Sequence, residues 1–174
     1  MLYFTSDTHF QHINIIKHCS RPFNGVDDMD SVLLERWNSA VRPQDTVYHL
    51  GDFGWFRRDT VKALCSIFNK LNGQKILVRG NHDHKGTDKL PWAHCCDYYE
   101  FKHENCKYVL FHYPIEEWSA CHHGSIHLHG HTHGDELSTE YRRMNVSADA
   151  HDFYPVSVAR VTEVMDKKII KRHH

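Results

Sequence analysis

The stretch Pro43-Gln44-Asp45-Thr46-Val47-Tyr48-His49-Leu50-Gly51-Asp52-Phe53 decides the fold. Pro43 to Asp45 is a turn, because Pro and Asp suit turn backbone. Thr46 to Leu50 is rich in β-branched and aromatic residues and predicts a short strand. Gly51 then lets the chain bend sharply and puts the Asp52 carboxylate at the strand's end. The same grammar recurs on both sides. Leu2 to Ser6 is a β-prone run ending in Asp7-Thr8-His9, and Lys75 to Val78 is another, ending in Arg79-Gly80-Asn81-His82-Asp83. Between the first two runs, Asp27 or Asp28 can cap a helix that carries Met29, Leu33, Trp37 and Ala40. Between the second and third, Val61, Leu64, Cys65 and Phe68 lie at i, i+3, i+4 and i+7, and Asn72-Gly73 stops the helix they predict. Strand, helix, strand, helix, strand implies parallel pairing with helical crossovers, an α/β class.

The second half has a different rhythm. Tyr98 to Lys102 and Tyr108 to His112 flank Glu104-Asn105 and predict an antiparallel hairpin. Ser125 to His129 predicts a strand that runs into Gly130-His131-Thr132-His133-Gly134. Tyr141 to Val146 predicts a further strand, so antiparallel strands are expected to follow the βαβαβ half, and Pro155 opens a helical segment with Val158, Val161 and Met165. We expect a single domain over residues 1–166 and a solvated tail over residues 167–174.

Composition narrows the function. The 174 residues suit one domain with a real core. Lys and Arg number 21 against 22 Asp and Glu, a balance of −1, so charge does not indicate a nucleic-acid or anionic-membrane binder. No apolar run approaches the ~20 residues of a membrane span. The six cysteines form no C-x-x-C pair, and Met1 to Phe4 lacks the basic start of a secretory signal. Reduced thiols in a cytoplasmic protein are therefore expected. The anomaly is 18 histidines, which direct attention to metals.

In an open parallel sheet, ligands sit beyond the carboxyl ends of the strands. The strand ends here carry Asp7, His9, Asp52, Asn81, His112, His131 and His133. These are nitrogen and oxygen donors without thiolate, suited to Mn²⁺, Fe, Zn²⁺, Ni²⁺ or Co²⁺. Seven donors are too many for one tetrahedral ion. They suit two ions ~3.5–4 Å apart that share a carboxylate, and Asp52 on the middle strand is the natural bridge.

Asp7-x-His9, Gly51-Asp52, Gly80-Asn81-His82-Asp83, His112 and Gly130-His131-x-His133, in this order, resemble the motifs of the calcineurin-like metallophosphoesterase superfamily. The runs from Ser6 to His12 and from Asp45 to Phe53 are similar to a small, cap-less bacterial and phage branch. The resemblance implies a β-sandwich flanked by helices. It implies one metal on Asp7, His9 and His133, a second on Asn81, His112 and His131, and Asp52 on both, with Mn²⁺ the first choice. His82 is similar to the family's non-ligand histidine, which contacts phosphate and can protonate the leaving alkoxide. The implied reaction is hydrolysis of a phosphodiester or a small phosphomonoester by hydroxide held between the ions.

Arg21, Arg79 and Asp83 are candidate substrate contacts, and Asp83 is also a candidate to fix the His82 tautomer. Trp55, Phe56, Tyr113 and Trp118 are expected to pack in core or rim. His127 and His129 are expected to be packed or solvated, His49 packed, and His12, His84, His122 and His123 on the surface. His151 is expected to support the site without ligating. The run Gly51-Asp52-Phe53-Gly54-Trp55 lacks the second carboxylate and arginine of phosphoprotein phosphatases. The expected partner is thus a small phosphorylated substrate. A nuclease, a mononuclear hydrolase and a non-catalytic metal-binding scaffold are the alternatives.

Overall fold

The computed structural model describes residues 1–134 and 140–170. Its first sheet has β1 (Leu2–Thr5), β2 (Thr46–His49), β3 (Gln74–Val78), β4 (His94–Cys96) and β9 (Val156–Ser157), in the order β4-β3-β2-β1-β9. The pairs β1–β2, β2–β3 and β3–β4 are parallel, and β9 closes the edge antiparallel to β1. Helix α2 (Val26–Ala40) makes the crossover from β1 to β2, and α3 (Val61–Lys70) the one from β2 to β3. A short helix α1 (Ile13–His18) and strand β4 are too brief, at six and three residues, for periodicity to reveal. Helix α4 (Val158–Met165) forms where a final helix is expected, capped by the Ser157 side chain.

The second sheet runs β5 (Tyr99–His103), β6 (Cys106–Leu110), β7 (Ile126–His129) and β8 (Arg143–Asn145). The β5–β6 hairpin turns as expected, at Glu104-Asn105. The rest of this sheet corrects the antiparallel expectation, because β6–β7 and β7–β8 are parallel. Residues 111–125 carry the chain back to the start of β7, so His112 and His131 emerge at the same end.

Alternation along the strands separates two cores. Phe4, Tyr48, Leu50, Ile76 and Val78 face Tyr108, Leu110, Ile126 and Leu128 across the two sheets. The Phe4 ring lies 5.6 Å from Tyr48 and 5.9 Å from Tyr108. On the opposite face, Val47 joins Met29, Leu33 and Trp37 of α2 and Leu64 and Phe68 of α3. Each such side chain contributes about 1.5–3 kcal/mol by leaving water. The result is an α/β sandwich with helices outside. In the expected solvated tail, Ile169 pairs with Tyr141 and Lys168 Nζ donates to Arg143 O, while Lys167, Ile169 and Ile170 are exposed. Residues 171–174 lie outside the described residues. Among the described residues no helix is long and apolar enough to cross a membrane.

Candidate metal centre

Both sheets end at one rim. Asp7 N–H donates to Gly51 O at 2.9 Å, His9 N–H to Asp52 O at 3.0 Å, and Gly130 N–H to His112 O at 2.9 Å. The turn after each strand then aims a side chain into common space. Asp7, His9, Asp52, His131 and His133 have φ between 50° and 69°, in the left-handed region. Such backbone costs about 1–3 kcal/mol per residue and persists only where surroundings enforce it. A Cβ on Gly80 would meet Asp52 Oδ1, and one on Gly130 would meet Asp7 Oδ2, so both turns admit only glycine.

The structure brings all seven expected donors together. Asp7, His9 and His133 form one group whose ligand atoms lie within 4.8 Å of one another, and Asp7, Asp52 and His112 form a second. Asn81 Oδ1 lies 3.0 Å from His112 Nε2 and 3.0 Å from His131 Nδ1. Asp52 Oδ2 lies 3.6 Å from His9 Nε2 and 3.6 Å from His112 Nε2. Its other oxygen accepts the His82 backbone N–H at 2.8 Å.

Hydrogen bonds set the lone pairs. His112 Nδ1–H donates to Leu50 O at 2.7 Å, which leaves Nε2 an acceptor facing two oxygens. His9 Nε2 is buried with no hydrogen-bond partner. Leaving such an atom unpaired costs about 1–3 kcal/mol. Burial raises Asp7 from 3.8 to about 6 and pushes His9 well below its ordinary value. Burial acts to lower His133 too, but hydrogen bonds to Asp149 and Cys19 and the Asp7 charge hold it up at about 10. At the middle of the cluster the acceptors His112 Nε2, Asn81 Oδ1 and Asp52 Oδ2 thus face one another. Divalent cations among them would satisfy these acceptors and the unpartnered His9 Nε2, so the residues fit metal ions.

The expected substrate contacts are engaged within the protein. The Arg21 side chain is fully buried; it donates to Asp7 O, Thr8 O and both oxygens of Asp149. Asp83 accepts from the backbone N–H of Gly80, Asp52 and Phe53, clasping two turns, so its carboxylate is committed to main chain and not to the His82 ring. Arg79 pairs at the surface with Asp88 at 2.8 Å and Asp97 at 3.0 Å. His12, expected on the surface, is buried, stacked 4.3 Å from Trp55, with Nδ1 3.2 Å from His9 Nδ1. His49 is packed as expected: Thr8 Oγ1 lies 2.9 Å from its Nε2. His127 and His129 are interior, each donating Nδ1–H to a main-chain carbonyl. His82 lies beside the donors, its ring 5.5 Å from that of His9. Tyr113 is partly exposed, with its ring 4.6 Å from that of His131. Asp149, not singled out from the sequence, lies 2.8 Å from His133 Nδ1. His151 donates to Asn145 O, and the Asn145 side chain donates to His133 O, so its support for the site is indirect.

A two-layer sandwich with these donors at its strand ends is of the metallophosphoesterase-like α/β class. No family model matches the chain. It belongs to the family that includes the uncharacterized protein MJ1445 of Methanocaldococcus jannaschii, to which it is 34% identical over 98% of this chain and 94% of that one. The gene 66 protein of Mycobacterium phage D29 is 30% identical, over 91% of this chain and 94% of its own. Among solved structures, the protein of unknown function AQ665 from Aquifex aeolicus superposes with a TM-score of 0.79 at 29% identity, covering 94% of this chain and 98% of that one. The phosphoesterase YfcE from E. coli superposes with a TM-score of 0.54 at 19% identity, over 84% of this chain and 77% of its own, a likeness of fold alone.

Proposed function

We propose that the protein is a dinuclear metal-dependent phosphoesterase of the calcineurin-like superfamily, acting on phosphodiesters or small phosphomonoesters. The observation that carries this reading is the Asp52 carboxylate, with one oxygen 3.6 Å from an imidazole nitrogen of each donor group. A carboxylate so shared is what two close dications require. Asp7, His9 and His133 would hold one ion, Asn81, His112 and His131 the other, and Asp52 both. Mn²⁺ is the first choice, with Fe, Zn²⁺, Ni²⁺ or Co²⁺ also suited to these donors. When bound, such a pair supplies positive charge for a phosphoryl oxygen and lowers the pKa of a water toward neutrality.

The chain's own residues supply the rest. His82 stands at the rim, its backbone pinned to Asp52 Oδ1, and donates a proton to the leaving oxygen. Asn81 contributes an oxygen without charge and so leaves the cationic field intact. Asp83 fixes the turns that carry Asp52 and Asn81 by accepting three main-chain N–H groups.

Metal-stripped protein reconstituted with each divalent ion tests the reading, by metal content and by turnover of a bis-aryl phosphodiester and an aryl monoester. Two equivalents per chain with Mn²⁺-stimulated turnover are expected. One equivalent with turnover would mean a mononuclear hydrolase. Two equivalents without turnover of either ester would mean a metal-binding scaffold.

A further inference from the structure

We propose that Asp149 is a positioning residue for one half of the centre alone, and that buried Arg21 locks it in place. The inference rests on the dinuclear reading above. Asp149 Oδ2 lies 2.8 Å from His133 Nδ1, so Nδ1 keeps its proton toward Asp149 and Nε2 is the nitrogen that a bound ion would take. Nε2 is the atom turned to Asp7 Oδ1, at 4.0 Å. A carboxylate behind a ligating imidazole fixes its tautomer and ring plane and raises its basicity.

Asp149 does not stand free. Arg21 Nε donates to its Oδ1 and Arg21 Nη2 to its Oδ2, both at 2.7 Å, a bidentate fork. The same guanidinium donates to Asp7 O at 2.6 Å and Thr8 O at 3.0 Å. One buried cation therefore fixes the backbone of Asp7 and the orienter of His133, two donors of the same ion, from opposite ends of the chain. Among the described residues no carboxylate stands behind His112, whose Nδ1 faces the main-chain carbonyl of Leu50. Removing Asp149 must then weaken one ion and spare its neighbour.

Isothermal titration of metal-stripped protein with Mn²⁺ tests this. The wild type is expected to bind two ions. In Asp149→Ala one ion binds about 10–100-fold more weakly, while the other changes less than about twofold. Asp149→Asn, which keeps one acceptor oxygen, falls between. In a His133→Ala background Asp149→Ala causes no further loss, which a general loosening of the fold would not produce. Circular dichroism confirms folding; if Asp149→Ala does not fold, Asp149→Asn carries the same readout. Equal weakening of both ions, or none, would overturn the proposal. A wild type that binds fewer than two ions would overturn the dinuclear reading beneath it.

Discussion

The two halves of the centre are supported by different materials. His112 takes its orientation from Leu50 O at 2.7 Å, a main-chain atom at a strand end. His133 takes its orientation from the Asp149 side chain, held by Arg21, 128 residues away. No substitution removes a carbonyl, so the His112 half withstands single mutations around it. The His133 half depends on a buried ion pair, where breaking one partner strands the other. The sequence distance matters as well. The His133 half forms only when residues 21 and 149, 128 apart, have met, whereas the His112 half joins Leu50 and His112, 62 apart, where β2 and β6 of the two sheets end.

Asp52 belongs to neither half and joins both. Asp52→Asn is expected to cause the largest effect, loss of paired metal binding and a fall in turnover on the order of 1,000-fold. Metal content and steady-state kinetics check it, and retention of two ions at near-normal rate would remove the bridge. Arg21→Met comes next and strikes one half. It leaves Asp149, whose side chain is only 9% exposed, with His133 as its remaining partner, at a cost of about 3 kcal/mol. The thermal midpoint should fall by about 10 °C. An unchanged midpoint would show that the pair is not what holds the His133 half.

That asymmetry was only partly legible in the sequence. Gly51-Asp52, Gly80-Asn81 and Gly130-His131 announce themselves because a glycine before a donor at a strand end has a direct steric meaning. The βαβαβ half follows from helical spacing, as at Val61, Leu64 and Phe68. Strand direction is not carried by period-two alternation, so the parallel β6–β7 and β7–β8 pairs were out of reach. Asp83 follows His82 directly, yet its carboxylate turns back to Gly80, Asp52 and Phe53, because three unpaired N–H groups attract it more than one imidazole does. His12 has the sequence neighbours of a surface residue, and the Trp55, His9 and His82 rings packed around it explain its burial. Arg21 and Asp149 carry no local signal at all, since their chemistry exists only once the chain has folded.

His82 sharpens the comparison from outside, since it is assigned to neither ion. His82→Ala should retain both ions. It should slow esters with poor leaving groups by about 100-fold and those with acidic leaving groups far less. Rates plotted against leaving-group pKa check this, and an equal loss across the series would remove the acid role.

The smallest effect belongs to the arginine that looks most like Arg21 on paper. Arg79 also meets carboxylates at 2.8 Å and 3.0 Å, but its side chain is 29% exposed and Asp97 is 83% exposed. Water screens such pairs, which contribute about 0–1 kcal/mol. Arg79→Ala should therefore move the thermal midpoint by less than about 3 °C and leave KM unchanged. Salt separates the two arginines further. The Debye length shrinks to about 3 Å at 1 M, so the Arg79 contribution should vanish there while the Arg21 contribution persists. Thermal scans of both variants at low and high salt measure the difference directly. A KM increase in Arg79→Ala would return that residue to the substrate. A salt-sensitive Arg21 effect would mean that water reaches the pair behind His133.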